Sequence, residues 1–178
     1  QACKKEGKSK EEFLQKAAQI QGVYVPSLYS VTYHDDGTIK EMIPHAAAPK
    51  TVRKRLELDM DKAYFPEKFV VPSIEIVHDR AVAEVQRGCI RGCRFCQAGF
   101  IYRPVREKSP EVINKQCRAL CENTGYDEVS LSSLSSSDYT QIVPLLTKLN
   151  EWSKDEKVSI SLPSLRVDGF TDDIMNKI

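Results

Sequence analysis

From residue 81 onward, short apolar stretches alternate with amphipathic ones, and this alternation limits the available folds more than any other feature. AVAEVQ (81–86) reads as a strand. SPEVINKQCRALCENTG (109–125) reads as a helix, with Ser109 as N-cap, Pro110 at the first helical position and Glu111 beside the positive end of the dipole. Gly125 stops it. EVSLSSL (128–134) is a second strand. Asp138 to Trp152 is a second helix, with Ile142, Leu145, Leu146 and Leu149 on one face, and Pro144 must either kink it or mark a late start. Residues 158–167 contain a third strand, and Thr171 or Asp172 opens a third helix that runs to Ile178. The expected class is therefore α/β, built from parallel βα units. Three such units cannot close a barrel and leave an exposed edge, so the chain reads as an internal fragment, as does its start, QACKKEGKSKEE.

Residues 1–80 read as a separate extension and residues 81–178 as the βα core. In the extension, Phe13, Leu14, Ala17, Ala18 and Ile20 recur at helical spacing before Gly22. Leu28–His34 and Thr38–Ile43 flank Asp35-Asp36-Gly37 and read as a hairpin. Residues 44–80 carry Pro44, Pro49, Pro66 and Pro72 and read as an irregular wrapping segment.

The first predicted strand runs directly into EVQRGCIRGCRFCQAGF (84–100), where Cys89, Cys93 and Cys96 stand together. Clustered thiolates select zinc, cuprous copper or iron–sulfur centres. Structural zinc takes four protein ligands, and only three are local, so it would need His78, Cys117 or Cys121. A ferredoxin-type run ends in Cys-Pro, which is absent from the loop. The spacing C-x₃-C-x₂-C suits three irons of a 4Fe–4S cube with the fourth iron open. The loop follows a strand, which puts it at the carboxyl end of the sheet, where βα folds place their chemistry. Gly88 and Gly92 are expected to relieve crowding there.

These residues resemble the radical SAM superfamily through Cys89-Ile90-Arg91-Gly92-Cys93-Arg94-Phe95-Cys96 after the strand AVAEVQRG. The resemblance implies a partial (βα)₆ barrel, of which this chain holds about half. It implies that the cube's open iron is chelated by S-adenosylmethionine, which one electron cleaves to a 5′-deoxyadenosyl radical that abstracts hydrogen from a substrate. It also implies that Phe95 packs on the adenine. QGVYVPSLY, VHDRAVAEVQRGCIRGCRFCQAGFIYRPVREKSPE, TGYDEVSLSSLSSSDY and SLPSLRVD resemble an uncharacterised bacterial group of that superfamily. Its members carry a cobalamin-binding-like region ahead of the barrel, which leaves room for cobalamin in the parent protein. Where the superfamily often has Gly-Gly-Glu-Pro after the second strand, this chain has the run from Ser132 to Ser137. Ser132 and Ser133 are then the candidates to receive the methionyl amine. Similarity of the cysteine loop to methylthiotransferases points to RNA or protein as substrate, and the electron implies a flavodoxin- or ferredoxin-like reductant.

Other residues read more plainly. Cys117 and Cys121 share a helix face with Ile113 and Leu120 and read as buried small apolar groups, while His34, His45 and His78 read as ordinary residues. Arg87, Arg91, Arg94, Arg103, Arg106 and Lys108, against Glu107 alone, describe either a solvated face or a positive field for the SAM carboxylate or an anionic substrate. Arg166 suits a bidentate carboxylate contact or a packing role. With 26 basic and 25 acidic residues, net charge carries no information about partners. Clustered cysteines without a disulfide-scaffold pattern indicate a reducing cytoplasm, and no apolar run is long enough for a bilayer. The rival reading is a non-catalytic interaction domain tied down by zinc.

Overall fold

The computed structural model describes every residue except Phe170 and Ile178, so the end expected for the last helix lies outside the described residues. The chain divides into two units, Gln1–Leu56 and Glu57–Ile178.

In the first unit the single helical stretch expected before Gly22 is two helices, α1 (Ala2–Lys5) and α2 (Lys10–Ala18). The break falls at Gly7, with φ +62°. Ser9 restarts the chain through a capping box. Its hydroxyl accepts from the Glu12 N–H at 3.2 Å, and the Glu12 carboxylate accepts from the Ser9 N–H at 2.8 Å. The hairpin forms as its turn residues require, with β1 (Tyr29–Tyr33) antiparallel to β2 (Ile39–Pro44) and Tyr29 opposite Pro44.

The second unit begins with irregular chain, as the prolines anticipate. Its ordered part is β3 (Ala81–Glu84), β4 (Gln86–Arg87), α3 (Gln97–Ile101), β5 (Arg106–Glu107), α4 (Pro110–Thr124), β6 (Glu128–Ser132), α5 (Ile142–Ser153), β7 (Ser159–Ser161) and α6 (Asp172–Met175). β3, β6 and β7 form a parallel sheet with β6 in the middle, Ala81 opposite Val129 and Glu128 opposite Ser159. The second helix starts late at Ile142, which leaves Pro144 in the first turn, where its missing N–H is harmless. Helix α4 carries its expected signals. The Ser109 hydroxyl accepts from the Val112 N–H at 3.3 Å, and Gly125 closes the helix at φ +77°.

Alternation along each strand sorts the two faces of the sheet. Ala81, Ala83, Val85, Val129 and Leu131 are fully buried and share one cluster with Ile113, Cys117, Leu120, Leu145, Leu146 and Leu149 of α4 and α5. On the alternate positions Val82 is exposed and Glu84 and Ser132 are partly exposed. One face is therefore a packed core and the other is open and polar toward its carboxyl end.

Candidate functional site

The cysteine loop leaves the carboxyl end of β3 and returns as β5, and a short antiparallel ribbon closes its base. Gln86 pairs with Glu107 and Arg87 with Arg106. The Lys108 N–H donates to the Val85 carbonyl at 3.0 Å, and the Val85 N–H donates to the Ser132 carbonyl at 3.0 Å, so the ribbon is anchored to β6. Two-residue strands carry no readable periodicity, which is why this ribbon was not expected from the sequence.

Gly88 is the crossing point of the loop's two legs. Its φ is +94°, and a Cβ there would lie 2.7 Å from the Tyr102 carbonyl oxygen and 2.8 Å from that of Pro104. The buried Arg106 guanidinium donates to both carbonyls, at 3.3 and 3.1 Å, and to the Glu57 carbonyl at 2.9 Å. Gly88 thus permits a close backbone crossing at the loop base. Gly92 has open space around it and relieves no crowding, which corrects the expectation for that position.

Cys89, Cys93 and Cys96 all carry free, partly buried thiols on this one loop. The Arg91 N–H points at Cys89 Sγ and the Gly99 N–H at Cys96 Sγ, each at 3.4 Å. These two contacts orient the sulfurs of Cys89 and Cys96. Among the described residues, no three His, Cys, Asp or Glu side chains converge as a group that could hold a metal ion. The fourth ligands that zinc would require are engaged elsewhere. Cys117 and Cys121 are buried in the core beneath α4, and His78 Nδ1 lies 3.1 Å from the Arg80 guanidinium. Burial pushes the Cys117 thiol up to about 12, so it stays protonated and inert. The loop thus offers three thiols and no fourth protein ligand for a closed tetrahedron.

The serine run after β6 is far from a plain loop. Ser135 and Ser136 are buried. The Ser136 hydroxyl donates to the Pro163 carbonyl at 2.7 Å, its N–H donates to the Ser164 carbonyl, and the Ser137 hydroxyl accepts from the Arg166 N–H at 3.2 Å. Ser133 Oγ accepts from the Ser135 N–H at 3.1 Å and faces Ser136 Oγ at 3.0 Å. Ser132 is partly exposed and its hydroxyl has no partner among the described residues. Ser132 and Ser133 line a cavity of about 370 Å³ with Glu84, Gln86, Arg87 and Tyr102. In its wall the Gln86 side chain donates from Nε2 to the Ser135 carbonyl at 2.7 Å, while its Oε1 is buried without a partner among the described residues. A buried orphan acceptor is a place for a donor from a bound molecule.

The other expected site residues stand apart from that cavity. Phe95 is 92% exposed. Arg166 spends its guanidinium on Asp168, at 2.7 Å from Nη2, and lines a different, shallow hollow. Arg87 and Arg91 of the cation cluster are paired with acids. Arg87 forks onto Glu84 at 2.8 and 2.7 Å, Arg91 pairs with Asp138, and Arg103 stacks on Phe100 at 4.4 Å. Lys108 is buried against the Gln116 carbonyl at 3.0 Å and the Phe65 ring, and burial lowers its pKa. Arg94 is exposed and unpaired among the described residues. The Arg91–Asp138 and Gln86 contacts were missed because their partners are 47 and 49 positions apart.

The profile of the radical SAM superfamily matches residues 83–178, the stretch that holds the three thiols and all three parallel strands except the first residues of β3. This chain belongs to the radical SAM superfamily. An uncharacterised protein of Methanocaldococcus jannaschii is 32% identical over 131 residues, covering 68% of this chain. The chain spans 29% of that protein's length. Superfamily membership makes an enzyme that uses SAM and an iron–sulfur cluster the general functional class, and the mixed α/β architecture with its parallel sheet agrees with a partial radical SAM fold. The match carries no support for cobalamin. No helix among the described residues is long and apolar enough to cross a membrane.

Proposed function

We propose that this radical SAM chain binds a 4Fe–4S cluster through Cys89, Cys93 and Cys96 and holds S-adenosylmethionine beside it. Residues 81–178 would be the first three βα units of the core and residues 1–80 an extension. The observation that carries the reading is the trio of free thiols on one loop at the carboxyl end of a parallel sheet. When bound, the cluster supplies the electron that cleaves the sulfonium to a 5′-deoxyadenosyl radical.

The chain's own residues bind and orient. The amides of Arg91 and Gly99 donate to Cys89 Sγ and Cys96 Sγ and orient those two side chains. Ser132, whose hydroxyl has no partner among the described residues, and Ser133 receive the methionyl amine in place of the usual glutamate contact. Phe95, exposed as it is, covers the adenine by stacking. Arg166 takes the SAM carboxylate only by releasing Asp168, so its contribution is the smallest of the set. The substrate is not assigned, the likeness of the cysteine loop to methylthiotransferases leaving RNA or protein open; the reductant is flavodoxin- or ferredoxin-like, and the free cysteines suit a reducing cytoplasm.

Anaerobic reconstitution of the full-length protein with iron and sulfide tests the reading. A broad blue-region absorbance, lost in Cys93→Ala, and 5′-deoxyadenosine on adding SAM and dithionite are expected. Stoichiometric zinc that resists replacement would overturn it in favour of a zinc-tied interaction domain.

A further inference from the structure

Arg91 sits between two of the three cysteines, yet its side chain leaves the cysteine loop. Its Nε donates to Asp138 Oδ2 at 2.9 Å and its Nη2 to Oδ1, a two-pronged contact across 47 positions of sequence. Asp138 is only 9% exposed at its side chain. It is held in turn by the Ser135 hydroxyl, which donates to Oδ2 at 2.8 Å, and the Ser135 carbonyl accepts from Gln86. A planar guanidinium gripping a carboxylate at two points fixes orientation as well as distance, which a lysine ammonium does not.

We infer that Arg91 and Asp138 are a positioning pair that locks the cysteine loop to the serine loop. The three thiols and the hydroxyls of Ser132 and Ser133 then keep one relative geometry. This rests on the cofactor reading given under Proposed function. The pair has a second effect. Arg91 lies two residues from both Cys89 and Cys93, and Asp138 cancels its charge there. Cluster potentials respond to nearby net charge.

Three variants of the reconstituted full-length protein separate geometry from charge: Arg91→Lys, Arg91→Gln and Asp138→Asn. Iron and sulfide content confirms assembly, titration with SAM under non-reducing conditions reads affinity, and electrochemical titration reads the midpoint potential. Arg91→Lys keeps the cation but loses the fork, so SAM affinity should fall about tenfold with the potential unchanged. Asp138→Asn leaves Arg91 uncompensated and should raise the potential. Arg91→Gln leaves Asp138 uncompensated and should lower it. Both should also weaken SAM binding. Wild-type SAM affinity in all three variants with intact clusters overturns the positioning role alone. Failure of the wild-type protein to assemble a cluster overturns the cofactor reading and this inference with it.

Discussion

Replacing Gly88 with alanine tests whether the loop base is a true steric crossing. The backbone there has φ +94°, a region L-residues enter at a cost of about 1–2 kcal/mol. The new Cβ would also meet three main-chain atoms, at 2.7 Å (Tyr102 O), 2.8 Å (Pro104 O) and 3.0 Å (Val105 Cα). Those atoms cannot retreat freely, because Arg106 holds both carbonyls. Overpacking of this kind adds about 1–3 kcal/mol. Together the loss should be about 2–5 kcal/mol in urea-induced unfolding. Gly92→Ala is the matched control, since it has no positive φ and no neighbour within 4 Å, and should stay within about 0.5 kcal/mol of the parent. The Gly88 variant should also bind less iron on reconstitution, because Cys89 is the next residue. Equal stability of the two variants would refute the crossing.

Cys117 supplies a pH test. Its thiol is raised by burial from 9.0 to about 12, so above pH 9 the unfolded chain loses that proton first and stability falls as pH rises, by up to about 1.4 kcal/mol per unit. Unfolding curves between pH 8.5 and 10.5 should show this slope flattened in Cys117→Ala, while iron content after reconstitution stays unchanged. Iodoacetamide at neutral pH should modify Cys89, Cys93 and Cys96 in the cluster-free protein and spare Cys117, as mass spectrometry would show. Phe95→Ala should leave stability within about 0.5 kcal/mol, since the ring is exposed, yet weaken binding of S-adenosylhomocysteine measured by calorimetry.

What the sequence revealed was chiefly local. Helix α4 was legible from Ser109-Pro110 to Gly125 because capping residues act within a turn of themselves. The hairpin was legible because Asp36-Gly37 sets its turn, with Gly37 at φ +82° and the Thr38 N–H donating to Asp36 at 2.9 Å. Pro144 left two options that differ only in where the helix begins, and tertiary packing of Ile142 and Leu145 chose the later start. The three thiols could be named from spacing, but the contacts that shape their loop could not. Arg91 finds Asp138, and Gln86 finds Ser135, only after β3 and β6 have paired. The cation run showed the same limit, because the acid that neutralises Arg91 is not near it in sequence. The serine run reads by composition as a plain loop, whereas its hydroxyls fasten it to the segment after β7.

The ribbon of β4 and β5 gives residues 88–105 the form of a bulb on a stem. A closed mouth means that added length is charged only logarithmically, about 0.6 kcal/mol for each doubling. The bulb can therefore be lengthened at its exposed Ile90 or Arg94 while its ends stay pinned to the sheet. Transplanting such a stem, with its three-cysteine tip, onto another parallel sheet would start from matching Gln86–Arg87 and Arg106–Glu107.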